Sequence, residues 1–270
     1  MFVFRNPALE AFVAFLGPEL VFGQVCLRTL AAGYELCHVA DRDKAPSTLR
    51  LVAVEDLRAL AQVTKEGAFR PLKSAPNLQS GWLTPIRNSS ELDGALNHLY
   101  PGAIADWHAA REDRPPTTHF REFTARQTGM YRITTMLSDA QAADMTLACC
   151  HAGGCLKRRH WTVGGLAPDA ATEKSLIPCL EPCAILLEFA RKAARMAQEE
   201  TVEATLSTSE LETIRDSLEA PAAASSCPDT READFNLPGN LRRQQLVLRR
   251  IQRMLAEAAS RHPPAGDSAG

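Results

Sequence analysis

Cys149-Cys150-His151-Ala152-Gly153-Gly154-Cys155-Leu156-Lys157-Arg158-Arg159-His160-Trp161, answered further on by Pro178-Cys179-Leu180-Glu181-Pro182-Cys183, is the stretch on which the reading of this chain turns. It holds five of the eight cysteines, as a Cys-x4-Cys pair, a 23-residue spacer and a Cys-x3-Cys pair. In a reducing compartment such clustering marks metal ligation or redox chemistry more often than structural disulfides. Thiolates suit iron–sulfur clusters and zinc alike. The spacings are looser than the short Cys-x2-Cys pairs of zinc ribbons, which favours a cluster and leaves zinc as the alternative. Four ligands are expected, drawn from Cys149 or Cys150 together with Cys155, Cys179 and Cys183. Adjacent cysteines do not easily ligate together; Cys150 has the more natural reach, and either could complete the set.

The flanking residues agree with an anionic metal centre. Gly153-Gly154 gives a flexible turn that lets the backbone wrap closely and point amides at sulfide. Cys183 falls in the first turn of a helix expected to begin near Glu181, where free amides and the helix dipole favour negative charge. Lys157, Arg158 and Arg159 add positive charge. Of the three tryptophans, Trp82, Trp107 and Trp161, core packing is the expected role for at least two, and shielding of the centre the alternative. His160 is a candidate hydrogen-bond donor to a sulfur. The other histidines, including His38, His98, His108 and His119, show no paired metal spacing and read as surface or satisfied core residues.

Outward from this stretch, Ser138 is expected to cap a helix over 139–147 that runs straight into the first cysteines, and a second helix is expected over 181–200. Upstream, residues 118–136 alternate in a strand-like way at Tyr131, Ile133 and Thr135. Residues 66–90 are loop-rich; Ser89 or Ser90 caps a helix carrying Leu92, Ala95, Leu96 and Leu99, stopped at Tyr100-Pro101-Gly102, and another helix spans 103–111. Residues 12–16 end a short helix at Gly17-Pro18, 20–28 and 34–41 pair as a hairpin, and 51–63 has helical spacing. Downstream, 201–234 shifts to Thr, Ser, Glu, Ala and Pro, and the run from Glu219 reads as a linker. A basic helix follows from Leu241, with Leu241, Val247, Leu248, Ile251, Met254 and Leu255 on one side and arginines on the other. The fold class is therefore α+β, divided as a small α/β unit over 1–66, a central α+β region over 67–137, the cysteine-rich domain over 138–200, a linker over 201–238, the basic helix over 239–260 and a disordered tail over 261–270.

Hydrophobic residues at 45% and charged residues at 23% are the balance of an ordinary globular chain with a real core. A net charge of −2 gives no reason to expect nucleic acid as the main partner, and the basic helix is read as a solvated face on a docked helix. The apolar N-terminal stretch is broken by Glu10, Gly17, Pro18 and Glu19, so neither a membrane span nor a secretory signal is expected, and the cytoplasm is the expected compartment.

Four segments carry a resemblance: Leu99-Tyr100-Pro101-Gly102-Ala103; Arg126-Gln127-Thr128-Gly129-Met130-Tyr131-Arg132; Cys155-Leu156-Lys157-Arg158 with Trp161; and the Cys179/Cys183 segment. Together they resemble the 4Fe-4S domain attached to CbiX-type sirohydrochlorin chelatases in some bacteria. The likeness covers roughly residues 70–200, and the basic helix after Asn240 is a candidate for inclusion. It implies a bound 4Fe-4S cluster and a link to tetrapyrrole (sirohaem or cobalamin) metabolism, with a sirohydrochlorin-chelatase-type or other redox enzyme as partner. A chelatase module of that type opens with a strand leading to a His-Gly-Ser-like turn; this sequence has no such segment, so the resemblance does not carry chelatase activity over.

Arg126, Gln127, Thr128, Tyr131 and Arg132 form a candidate ligand pocket, since two arginines could bind carboxylate arms bidentately; a strand start with solvated arginines is the plainer alternative. No nucleophile, base and orienter stand together, so no catalytic residue is assigned. Three readings of function follow: an iron–sulfur protein in a redox or accessory role, a structural zinc-stapled interaction module, and a tetrapyrrole- or metal-processing enzyme working around Arg126 to Arg132.

Overall fold

Asn6 opens the fold by accepting the Leu9 amide at 3.2 Å, and a proline at the first helical position fits the missing donor there, so α1 (Pro7–Phe15) starts cleanly and delivers Phe12 to the core. The computed structural model describes residues 6–63, 74–114, 118–170, 174–199, 205–224 and 240–261. The apolar run after Pro18 forms two strands, β1 (Glu19–Phe22) and β2 (Val25–Leu30), where a single strand over 20–28 was expected. The break is at Gly23, with φ 68° and a tyrosine ring, Tyr100, 2.7 Å from where a Cβ would stand. The Tyr100 hydroxyl accepts the next amide, Gln24 N–H, at 2.9 Å. A two-residue turn leads to β3 (Gly33–His38), paired antiparallel with β2 so that Cys26 faces Cys37.

The sheet is completed by β4 (Arg50–Leu51) and β5 (Trp82–Ile86), in the order β1-β2-β3-β5-β4, with only the β4–β5 pairing parallel. On it pack α2 (Leu57–Gln62), α3 (Ser89–Leu99) and α4 (Ala103–Arg111). The helix expected over 51–63 starts only at Leu57, after a strand and a 3-10 turn. Asn88 rather than a serine caps α3, accepting the Glu91 amide at 2.9 Å. Phe12 meets Phe22 and Trp107 edge to face at 5.3 and 5.2 Å, the centre of a core that includes Trp82, Leu92, Leu96 and Leu99. Because β5 comes from the stretch read as loop and lies in this sheet, the core crosses the boundary expected at 66/67.

The second half is helical. α5 (Phe120–Ala125) leads to a 3-10 stretch, Gly129–Met136, in place of the expected strand. The Thr134 and Thr135 hydroxyls donate to the Tyr131 and Arg132 carbonyls three residues back, at 2.7 and 2.8 Å, which tightens the chain into turns. α6 (Asp139–Cys149) has a full capping box: Ser138 accepts from Gln141 N–H at 3.2 Å and the Gln141 side chain accepts from Ser138 N–H at 2.8 Å. Next come β6 (Arg158–Arg159) and β7 (Pro178–Cys179), a short parallel ribbon, and α7 (Ala184–Met196). Phe120, Met145, Trp161, Leu186, Phe189 and Leu246 form the second core.

Inside the expected linker lies α8 (Thr208–Ala224), whose start is held by a Ser207–Glu210 exchange of hydrogen bonds, so the Ser-x-x-Glu signal outweighs the linker-like composition. Residues 225–239, including Cys227, lie outside the described residues. The basic helix, α9 (Leu241–Arg261), packs on α6 and α8. It runs through Arg261, and the rest of the expected tail, 262–270, lies outside the described residues. The fold is α+β. Among the described residues no helix is long and apolar enough to cross a membrane.

Candidate metal centre

Two pieces of chain far apart in sequence are joined by the β6–β7 ribbon. Arg158 N–H donates to the Ile177 carbonyl at 2.8 Å and His160 N–H to that of Cys179 at 2.9 Å, so the Cys179–Cys183 segment is laid beside the turn that follows α6. Cys149 ends α6 and Cys150 is its C-cap; a turn closed by Gly154 and Cys155 amides on the His151 carbonyl, at 2.9 and 3.0 Å, brings Cys155 round. All five cysteines of the cluster line one cavity of about 140 Å³.

The glycines of this turn are needed for a reason different from backbone flexibility. A Cβ at Gly153 would stand 3.2 Å from the His151 ring and one at Gly154 2.9 Å from its Nε2, so their hydrogens make room for a packed imidazole. Cys183 is the N-cap of α7 rather than a first-turn residue, and the Leu186 and Ile185 amides of that helix end favour its thiolate without outweighing burial.

Left as thiols, these groups are hard to ionise. Burial pushes up the pKa of Cys155, Cys179 and Cys183; for Cys150 the hydrogen bond with Cys149 is the first cause and burial the second. The surrounding charge works the other way. Lys157, Arg159 and Arg242 stand in the cavity wall. Arg159 is buried, donates to the Trp161 and Ala167 carbonyls, lies 5.2 Å over the Trp161 ring and pairs with Asp169 at 3.2 Å. Asp169 also meets Lys174 at 3.0 Å, and the Lys174 ammonium donates to the Cys150 carbonyl. Burial alone would raise the Asp169 carboxyl, but the Arg159 amide and Lys174 outweigh it and hold it below its ordinary value. One carboxylate between two cations leaves this buried network positive, next to Cys150.

Trp161 is fully buried in the cavity wall, and its indole N–H has no hydrogen-bond partner of normal geometry; the polar atom it favours is the Cys179 sulfur, whose thiolate it stabilises. An orphaned buried donor in a cavity lined by five thiols suits a group that accepts hydrogen bonds at sulfur. The candidate donor from the sequence, His160, is engaged elsewhere: its Nε2 accepts from Arg158 Nε at 3.3 Å. Trp82 and Trp107 sit in the first core. His38 and His119 use Nδ1 to accept the amides of Ala40 and Arg121, at 3.0 and 3.1 Å, as local caps. Among the described residues no three His, Cys, Asp or Glu side chains converge tightly enough for one ion.

The candidate ligand pocket over 126–132 is not brought to this cavity. Arg126, Thr128 and Arg132 are exposed and Tyr131 is half-buried. The Arg126 and Gln127 side chains turn back onto the Glu122 and Phe123 carbonyls, both at 3.2 Å. Sequence reasoning missed Lys174, Asp169 and Arg242; only Arg242 carried a signal, as part of a basic helix face.

A buried, cation-flanked cavity lined by thiols is a candidate thiolate-held metal centre. Residues 112–192 match the family described as the 4Fe-4S iron–sulfur cluster binding domain, and residues 8–111 match the DR2241 stabilising domain. The two matches meet between α4 and α5, although Ile177, from residues 112–192, also packs into the first core. Among solved structures the chain is similar to DR2241 from Deinococcus radiodurans, a multi-domain protein described as structurally similar to chelatases with two additional novel domains. The TM-score is 0.59 at 25% identity, over 71% of this chain and 42% of that one, so this chain spans well under half of that protein. No curated protein matches it.

Proposed function

We propose that this chain holds a 4Fe-4S cluster on Cys150, Cys155, Cys179 and Cys183 and serves as a cytoplasmic redox or accessory protein to a tetrapyrrole-processing enzyme. The observation that carries the proposal is the cavity itself. A cavity of about 140 Å³ lined by all five cysteines, with Lys157, Arg159 and Arg242 also in its wall, suits a bulky anionic cluster better than one zinc ion with four sulfurs at about 2.3 Å. Cys150 is preferred to Cys149 because its charge disfavours the thiolates of Cys155, Cys179 and Cys183, the effect of a group sharing their space. Cys149 is left as a hydrogen-bonding neighbour of Cys150.

When bound, such a cluster supplies one-electron exchange. The chain's own residues prepare for it. Arg159, Lys174 and Lys157 offset negative charge, the amides of α7 face Cys183, and Trp161 excludes water while offering its N–H to sulfur. Ligation displaces thiol protons whose loss burial otherwise resists, so assembly releases protons.

The link to tetrapyrroles rests on the family resemblance and on the chelatase-like character of DR2241. A chelatase-like protein is accordingly the proposed partner, with co-elution of the loaded chain as the check. The reading as a whole is tested by anaerobic purification with iron, acid-labile sulfide, zinc and the visible spectrum measured together. About four irons and four sulfides per chain are expected. One zinc, no sulfide and no colour would replace it with a zinc-stapled module.

A further inference from the structure

Ser74 belongs to the unit that matches the stabilising domain over residues 8–111, yet it stands in the wall of the thiol cavity. The segment around it is fixed to the first core rather than to the cysteine-rich half. Ala75 is buried, Leu78 packs against that core, and the Leu78 N–H donates to the Gln24 side chain at 2.8 Å. From this footing the Ser74 carbonyl accepts the Leu156 N–H at 2.7 Å, one residue after Cys155. The Leu156 carbonyl is held from the other side by the Ser175 hydroxyl at 2.8 Å, and the Ser175 oxygen also accepts the Ile177 N–H at 3.2 Å. Ile177 is a buried member of the first core, and Leu156 and Leu176 pack against it. The Cys155 loop is therefore seated on the first unit, although its cysteine lines the cavity of the second.

That seating puts a short hydroxyl side chain among sulfurs, for Ser74 and Cys155 share the cavity wall. Burial and then the charge of Cys150 push the Cys155 pKa up, while the Lys157 amide, Lys174 and the Ser74 side chain pull it the other way. A hydroxyl donating to a ligand sulfur draws electron density from it and makes the centre easier to reduce. We propose that the first unit is a working part of the metal centre: Ser74 donates a hydrogen bond to the Cys155 sulfur and, through its carbonyl, fixes the backbone beside that ligand. Ser74 is then a positioning residue that acts through Cys155 and tunes the potential, and the role of residues 8–111 extends beyond stability. This inference rests on the proposed cluster.

The test uses the full chain, reconstituted with iron and sulfide, as wild type, Ser74→Ala, Ser74→Thr and Ser175→Ala. Iron and sulfide content, potentiometric titration and thermal melting of the metal-free forms are compared. Ser74→Ala keeps the carbonyl clamp and loses the hydroxyl. It should load fully and shift the reduction equilibrium roughly threefold toward the oxidised form, on the order of 30 mV for a one-electron couple. Threonine should restore the wild-type potential, which a merely structural role would not predict. Ser175→Ala loosens the same loop without removing a donor to sulfur, so it should lower the melting temperature and leave the potential alone. A Ser74→Ala protein at the wild-type potential would overturn the inference and leave the cluster assignment standing. A Ser175→Ala shift as large as that of Ser74→Ala would also overturn it, because loop position would then be the cause. If Ser74→Ala takes up no iron, the threonine variant decides: a loaded form near the wild-type potential supports the hydroxyl role, and any other result overturns it. A wild type without iron and sulfide would instead remove the cluster reading itself.

Discussion

The molecule buries cysteines in two ways. Cys26 and Cys37 face each other across β2 and β3, almost wholly inaccessible and packed against Leu49, Leu83 and Val39. Cys149, Cys150, Cys155, Cys179 and Cys183 are gathered round a cavity instead, with Lys157, Arg159 and Arg242 in its wall. Burial raises thiol pKa values in both places. The difference is that the first pair is packed among apolar neighbours, with the Arg28 and Glu19 charges close by, while the second set surrounds open volume with three cations in its wall and Cys183 at a helix N-terminus. Burial alone makes a cysteine a small hydrophobe; space and positive charge make it a ligand.

The largest expected effect separates the two sets. Cys155→Ala or Cys183→Ala should remove essentially all iron and sulfide from the anaerobically prepared protein. Cys26→Ala should leave both unchanged and cost about 1–2 kcal/mol in denaturant unfolding, as a small core truncation does. Iron loss on Cys26→Ala would break the comparison. Within the second set, Cys150→Ala should empty the site and Cys149→Ala should keep it loaded; the reverse result would move the fourth ligand one residue back.

The α+β class and the gathering of the five cysteines round one cavity were legible, the second because its information is local. Paired cysteines, a Gly-Gly turn, a Ser138 cap on the helix that ends at Cys149 and flanking basic residues are all short-range signals. What the sequence concealed depends on partners distant along the chain. β5 lies in a stretch dense in proline and glycine and itself contains Pro85, which argues against a strand. The structure tolerates it because β4 pairs with β5 only at Trp82 and Leu83, so beyond that point the missing N–H has no ladder to break. Likewise the Tyr131–Thr135 alternation imitates a strand, but its threonines bond back onto their own turns. Arg242 looked like one arginine among many, and only the docking of α9 on α6 distinguishes it from the solvated ones.

A subtler contrast concerns tryptophan. Trp82 and Trp161 are both fully buried, but the Trp82 indole donates to the Gln79 carbonyl at 2.5 Å, while that of Trp161 has no hydrogen-bond partner and favours the Cys179 thiolate. Trp161→Phe removes the donor and keeps most of the packing. It should leave the protein loaded and shift its reduction equilibrium roughly threefold toward the oxidised form, on the order of 30 mV. Trp82→Phe should lower the melting temperature and leave the potential alone. Equal potentials in wild type and Trp161→Phe would show that the ring serves only as a wall.

The last expected effect lies in alkaline solution and isolates the non-ligand pair. The Cys26 thiol is pushed up from its ordinary 9.0 to about 12, first by burial and then by the neighbouring Cys37. Below pH 9 it is protonated in folded and unfolded chains alike, so its protonation contributes no pH dependence. Above that, the unfolded chain releases the proton while the folded one keeps it. The folded state then binds more protons, and stability must fall as pH rises through the window from 9 to about 12. Metal-free wild type and Cys26→Ala should therefore converge: the wild type is ahead in urea midpoint at about pH 8 and loses that lead by about pH 11. Cluster loading should leave this convergence in place, since Cys26 gives up no proton to the metal. If loading abolished it, the two sets of cysteines would be coupled, and the separation drawn between them would fail.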